Sequence, residues 1–352
     1  MKTAAIKRNG ARQFSVSMNF QLVMMTLSLV LIAIIFSQAL MRVPIDSPKS
    51  GIKEITPMQK QFAGGDPVNL SVGLSVRDFP LFNMRAGTFI VDVSVFFVFD
   101  PRLITVERIS DFAFHNSEVV SKSEPFVKLV GTTIFLRYDV RLKFDFDLYY
   151  QRFPFEGHRL SFILTHPNLT PEEVVYSSTR QDFVINPSIV IPGWRTIDRQ
   201  VNTGYEERVV SLTPDEREFS FYSPSAVFSM VFERVGVRQS FTIFIPLLLL
   251  FLIALVTFSF GARKGLETSG IGLSAAVITA LIGYRFVIES MSPKVSYLLI
   301  SDYIYLVFLA VACLVFLVNI FSDYLSLMAK KIILVLLHMV VVGSIWYYFL
   351  FF

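Results

Sequence analysis

The chain has 352 residues, of which 53% are hydrophobic and only 17% charged, with 36 Phe against two Trp. An ordinary soluble domain carries about 25% charged residues, so a soluble enzyme is excluded. The single cysteine, Cys313, sits in an apolar run and excludes a fold stapled by intrachain disulfides. Between 43 and 238, 21 basic residues meet 24 acidic ones, while the rest of the chain holds 11 basic against 4 acidic. That positive charge flanks apolar runs instead of clustering on one folded surface, so nucleic acid is not an expected partner. A membrane protein with one sizeable polar domain fits these numbers.

In chain order, residues 1–42 join a basic tail (Lys2, Lys7, Arg8, Arg12) to an apolar segment, 19–41, and about 20 such residues cross a bilayer. Its core, 22–36, precedes Ser37-Gln38-Ala39. Signal peptidase accepts such a small-x-small pattern, so the segment is either a signal peptide or an uncleaved anchor. Residues 43–64 read as a linker. From 65 to 238 the hydrophobic period changes to two, as in Val91-Asp92-Val93-Ser94-Val95, 140–148, 159–163 and 218–221. Such alternation predicts half-buried strands. Gly64-Gly65-Asp66-Pro67, Asp100-Pro101, Pro192-Gly193 and Asn202-Thr203-Gly204 read as turns. About eight to ten short strands at this spacing suggest an antiparallel β-sandwich.

Four further spans follow at 239–262, 268–289, 299–322 and 332–352, giving a four-helix transmembrane domain over 239–352. Basic residues mark the cytoplasmic side. The N-terminal tail, the loop with Arg263 and Lys264, and the loop with Lys330 and Lys331 all fall inside in one topology. It places 43–238 and the C-terminus outside. No nucleophile elbow, zinc-protease pair, Walker loop or dinucleotide fingerprint is present. The four histidines lack metal-ligand spacing. No catalytic residue, metal or cofactor is expected.

Several segments then resemble one family. Tyr150-Gln151-Arg152-Phe153-Pro154-Phe155-Glu156 resembles the signature loop of the pentameric ligand-gated ion channels, usually Phe-Pro-Phe-Asp. Phe146 and Leu160 stand where animal members carry the loop cysteines, as in bacterial relatives. Phe99-Asp100-Pro101-Arg102-Leu103 resembles the family's Trp-x-Asp-x-Arg-Leu strand end, without its Trp, and Gly193-Trp194 resembles the Gly-Trp before the binding-loop hairpin. Arg234, twelve residues before Pro246, matches the pre-membrane arginine and first-helix proline. The run from Ile288 to Tyr297 resembles the end of the pore helix and its following loop.

The resemblance covers about 68–352. It implies a homopentamer in a bilayer, with the outer domain and C-terminus periplasmic if the membrane is a bacterial inner membrane. Inorganic ions would permeate, and a small molecule or protons would act as agonist. It also implies a coupling set: Arg234, Glu156, Phe153, Pro154, Phe155, Lys294, Tyr297 and Pro246, with Asp78, on an expected turn, sharing the arginine. The family's Trp-x-Pro segment has no counterpart in 104–128, so no ligand residue carries over. Tyr205, at an expected turn over 202–208, either belongs to a loop capping such a site or is an exposed hairpin aromatic.

The pore helix admits two registers. Steps of three and four from Glu267 collect Ile271, Ser274, Ile278, Ile282, Arg285 and Glu289 on one face. Around a fivefold axis this stripe would make charged rings at both ends and an apolar constriction between them. Family spacing from Pro293 instead gives Gly272, Ala276, Thr279, Gly283 and Phe286. The charged stripe is preferred because the other register turns Arg285 and Glu289 from the axis. Glu267 at the cytoplasmic mouth then favours cations. The alternative function is a non-conducting membrane receptor or scaffold that keeps the fold.

Overall fold

The structure, a computed structural model, describes residues 16–41, 45–46, 53, 67–211, 218–235, 238–262 and 267–351. Contacts divide these into two units. One holds the long helices together with the segment Tyr150–Phe155, and the other holds the strands.

The strand unit contains β1 (Ile45–Asp46), β2 (Val68–Asn83), β3 (Thr88–Phe99), β4 (Ala113–Phe114), β5 (Ser117–Lys122), β6 (Phe126–Val130) and β7 (Thr133–Asp145). It continues with β8 (Gly157–Thr165), β9 (Val174–Ser177), β10 (Phe183–Ile185), β11 (Trp194–Ser211) and β12 (Glu218–Arg234). One sheet runs β1-β8-β12-β11 with β4 beside β8. The other runs β10-β2-β3-β7-β5, with β6 on β7 and β9 on β2. The long pairs are antiparallel, as expected, but β1–β8, β9–β2 and β10–β2 are parallel. These are short strands that join a sheet from distant parts of the chain, which no local alternation can reveal. The expected linker over 43–64 also contributes structure, because β1 pairs with β8 and Lys53 bridges Tyr205. Its other residues lie outside those described.

The period-two reading of 91–95 falls in β3, whose alternate residues Phe89, Val91, Val93, Val95, Phe97 and Phe99 are all buried. Each such side chain contributes about 1.5–3 kcal/mol. They share one core with Leu136, Leu142 and Phe144 of β7, Leu160 and Phe162 of β8 and Phe228 of β12. The alternation over 140–148 outlasts its strand. Past Asp145 the chain turns out of β7, and the Phe146 N–H donates to the Gly87 carbonyl at 2.7 Å. Gly87 has φ +68°, and any side chain there would run into the Phe146 carbonyl, so this turn needs glycine. Phe146 stacks on Phe144 at 5.3 Å and meets Phe89 at 5.6 Å. Leu160 is buried in the same core. Apolar packing thus occupies both positions that the resemblance sets against cysteines.

The helical unit comprises α1 (Met18–Met41), α2 (Arg238–Val256), which continues as a 3-10 turn to Ala262, α3 (Glu267–Met291), α4 (Ile300–Ile320) and α5 (Leu327–Phe351). All five are long and apolar enough to cross a membrane. α5 begins earlier than its apolar run predicted and includes Lys330 and Lys331. α3 packs on α2 and α4, α4 on α5, and α1 on α5 and α2.

At membrane depth every backbone polar group needs an internal partner. Pro246 lies inside α2 and has no N–H for the carbonyl four residues back. That carbonyl, of Thr242, instead accepts the Tyr284 hydroxyl from α3. At the end of α2 the Ala254 carbonyl accepts Thr257 Oγ1–H at 2.6 Å, and the Leu255 carbonyl accepts Gln21 Nε2–H from α1 at 2.9 Å.

Candidate functional site

In the strand unit, three chain segments converge at one end of a sheet. Arg234 closes β12, Trp194 opens β11 opposite it in register, and Glu156 directly precedes β8. Glu156 is 2% exposed. Its Oε1 accepts Arg234 Nε–H at 3.1 Å and also Nη2–H. Its buried Oε2 has no partner among the described residues. Burial pushes the Glu156 carboxyl above its ordinary value, and the opposing pull of Arg234 does not cancel this. The guanidinium also lies 4.4 Å from the Trp194 ring centre, a cation–π contact strengthened by desolvation. His158, buried two residues after Glu156, lies 5.6 Å from Trp194. Burial, then the Arg234 charge, pushes its pKa down to about 4, so it is neutral at pH 7. The arginine is thus held by a buried carboxylate and an aromatic face, and one carboxylate oxygen is left over.

The expected third partner, Asp78, is not on a turn. It lies within β2, at an irregularity of the β2–β3 pairing, and is exposed. Its carboxylate accepts the Phe79 N–H and acts electrostatically on Arg141. The alternation breaks at Arg77-Asp78, yet pairing with β3 resumes beyond it and carries the strand on to Asn83.

In the helical unit, the expected loop Tyr150–Phe155 packs among helix ends. Tyr150 N–H donates to the Tyr297 hydroxyl at 2.8 Å, and Ile300 N–H at the start of α4 donates to the Gln151 carbonyl at 2.9 Å. Phe153 and Pro154 are buried. Phe155 stacks on Phe244 of α2 at 5.8 Å and meets Phe349 of α5 at 4.9 Å. Lys294 is exposed. The expected coupling set therefore divides. Phe153, Pro154, Phe155, Tyr297, Lys294 and Pro246 belong to the helical unit, whereas Arg234, Glu156 and Asp78 belong to the strand unit.

The uncovered face of α3 differs from the charged stripe by one residue. Ser274 is 1% exposed and bonds to the Gly270 carbonyl of its own helix. Ile271 and Ile278 are partly covered, while Ile282 and Glu289 are exposed at the flank. Arg285 pairs with Asp302 of α4 and lies 5.5 Å from the Tyr305 ring centre. Glu289, one helical turn away, is therefore not its partner. A charge in a membrane helix seeks an opposite charge within the protein, and Asp302 was the one acid in the span over 299–322. Asp302 also accepts the Leu299 N–H at 2.9 Å and so caps α4. The fully exposed row is Gly272, Ala276, Thr279, Gly283 and Phe286, the register set by family spacing. Side chains at Gly272 or Gly283 would meet nothing within 4 Å. Packing within one chain therefore does not require these glycines. Glu267 is the first residue of α3, but its side chain lies outside the described residues, as do Arg263 and Lys264.

Tyr205 is likewise in no turn. Residues 202–208 run inside β11, in unbroken register with β12. The connection between the strands falls at 212–217, outside the described residues. Tyr205 lies 5.6 Å from Tyr222, and Tyr222 donates to Glu207, which pairs with Lys53. Gly204 keeps an extended backbone because β12 pairs along the whole segment. Among the described residues no group of three or more His, Cys, Asp or Glu could hold a metal ion.

No protein-family model matches the chain, and no curated protein matches it.

Proposed function

We propose that the chain is the subunit of a homopentameric, cation-selective ligand-gated ion channel, with α3 lining the pore. The carrying observation is the uncovered row on α3. Gly272, Ala276, Thr279 and Gly283 are small or polar, and all four are exposed among the described residues. A lone membrane helix gains nothing by offering such a face to lipid, whereas small residues suit close approach of other copies or a watered lumen. The order of elements, with a strand domain followed by four spans, and the Arg234–Glu156 pair at the last strand end support the same reading.

The proposed pore register is Gly272, Ala276, Thr279, Gly283 and Phe286, in place of the charged stripe. In that register Arg285 is neutralised by Asp302 and contributes no positive ring. Glu267, in the first turn of α3, leaves negative charge at one mouth, and low-dielectric walls focus such a field on cations. An agonist on the strand domain, a small molecule or protons, biases the helices. The two domains are joined by the chain on either side of Tyr150–Phe155 and after Arg234. Basic residues of the tail and inner loops orient the strand domain outward from a bacterial inner membrane.

The test is current across a planar bilayer holding purified protein, under a salt gradient, with steps in pH, amines, divalent cations and small acids. Cation-selective current supports the proposal. Pentamers silent to every condition would favour the scaffold.

A further inference from the structure

Neither reading of the first apolar segment predicts how α1 is held. Gln21 is wholly buried and bridges two groups at the end of α2. Its Nε2–H donates to the Leu255 carbonyl at 2.9 Å, and its Oε1 accepts the Ser259 hydroxyl at 2.5 Å. Seven residues on, buried Ser28 shares a 2.7 Å hydrogen bond with Nδ1 of buried His338 on α5. Eight residues further, Phe36 meets Phe244 of α2 at 4.9 Å, Phe349 of α5 at 5.4 Å and Phe155 of the Tyr150–Phe155 loop at 5.8 Å. Positions 21, 28, 32 and 36 follow one helical face, and Ile32 between them is buried too.

We propose that α1 is retained in the mature protein as a fifth membrane helix, docked on a built face of α2 and α5, and that its Phe36 ring holds the Tyr150–Phe155 loop in place. Two features support retention. Ser37-Gln38-Ala39 lies within the helix, where its peptide bonds are closed off, and the Ser37 hydroxyl bonds to the Ile34 carbonyl at 2.8 Å. Removing residues up to Ala39 would take away the partners of the Leu255 carbonyl, Ser259 and His338 in a region without water, where an unmade hydrogen bond is costly. Simple anchoring needs none of these contacts, since an apolar helix alone would suffice. The ring contacts give α1 its second role. Among the described residues Phe155 meets the rings of Phe244, Phe349 and Phe36, and the last comes from α1.

The experiment uses the full chain with a C-terminal tag and needs no current, so its outcome is independent of the channel proposal. Intact mass of the purified protein retains the residues before 40, and a mass lacking 1–39 overturns the proposal. Hydrogen exchange then reads the amides of Phe153 and Phe155, which bond to the Tyr150 and Arg152 carbonyls at 2.8 and 2.7 Å. In Phe36→Ala these exchange about tenfold faster, while β7 amides are unchanged. Phe36→Leu keeps apolar bulk without the ring and gives the same direction if the alanine variant does not fold. Unchanged loop exchange in a folded variant overturns the role of Phe36.

Discussion

Replacing Arg234 by alanine isolates the arrangement at the end of β12. The change leaves the Glu156 carboxylate, 2% exposed, without its cation. Removing one partner of a buried ion pair costs about 3–5 kcal/mol. The Arg234 side chain is 19% exposed, which favours the lower end, about 3 kcal/mol, and the lost cation–π contact with Trp194 adds about 1 kcal/mol. For a unit of this size, about 4 kcal/mol corresponds to a fall of roughly 10 °C in melting temperature. The assay is thermal unfolding in detergent followed by tryptophan fluorescence. Adding Glu156→Gln to Arg234→Ala removes the stranded charge and restores about half the loss, a coupling that only a shared site produces. The pH dependence has a definite sign. The raised Glu156 value means that the folded state holds a proton more readily than the unfolded one. Stability from this group is therefore fullest below its ordinary value of 4.5 and falls as pH rises through the higher folded value. Without Arg234 that fall steepens, so the penalty of the variant shrinks in acid. His158 runs the other way: its contribution is full above 6.5 and is lost as pH falls toward about 4. A melting temperature for Arg234→Ala within about 2 °C of wild type, or no rescue by Glu156→Gln, would refute the reasoning.

Three further outcomes follow from the helical unit. Tyr284→Phe removes the donor to the Thr242 carbonyl and costs about 0.6–1.7 kcal/mol. In a Pro246→Ala background the restored N–H takes that carbonyl, so the cost vanishes; equal costs in both backgrounds on thermal unfolding would contradict the assignment. Asp302→Asn keeps a capping oxygen but frees the Arg285 charge, and the reversal potential under a salt gradient moves toward the chloride potential; no movement would separate Arg285 from the permeation path. Glu267→Gln weakens cation selectivity in the same measurement, and an unchanged reversal would remove Glu267 from the filter.

Much of the fold was legible because burial imposes a period. The alternation in β3, β7, β8 and β12 and the five apolar spans are direct records of which faces avoid water. Partners that meet across long sequence distances were not legible. Asp302 was visible as a lone acid, but only the packing of α4 on α3 selects it over Glu289 for Arg285. Gly204 and Asp78 looked like breaks because local propensity favours turns there, yet pairing with β12 and β3 carries the strand through both. The contacts of Gln21 and Ser28 were hidden in an apolar run, where two polar residues in a segment of helix carry no directional signal. The Glu156–Arg234 pair was foreseen through the resemblance, but the Trp194 face and the leftover carboxylate oxygen were not.

The central claim concerns an assembly around α3, and native mass spectrometry of the purified protein in detergent tests it most directly. The account predicts a dominant species at five times the 40.0 kDa chain mass, dissociating when Gly272 or Gly283 is replaced by a bulky residue. A spectrum holding only monomer or dimer would contradict it.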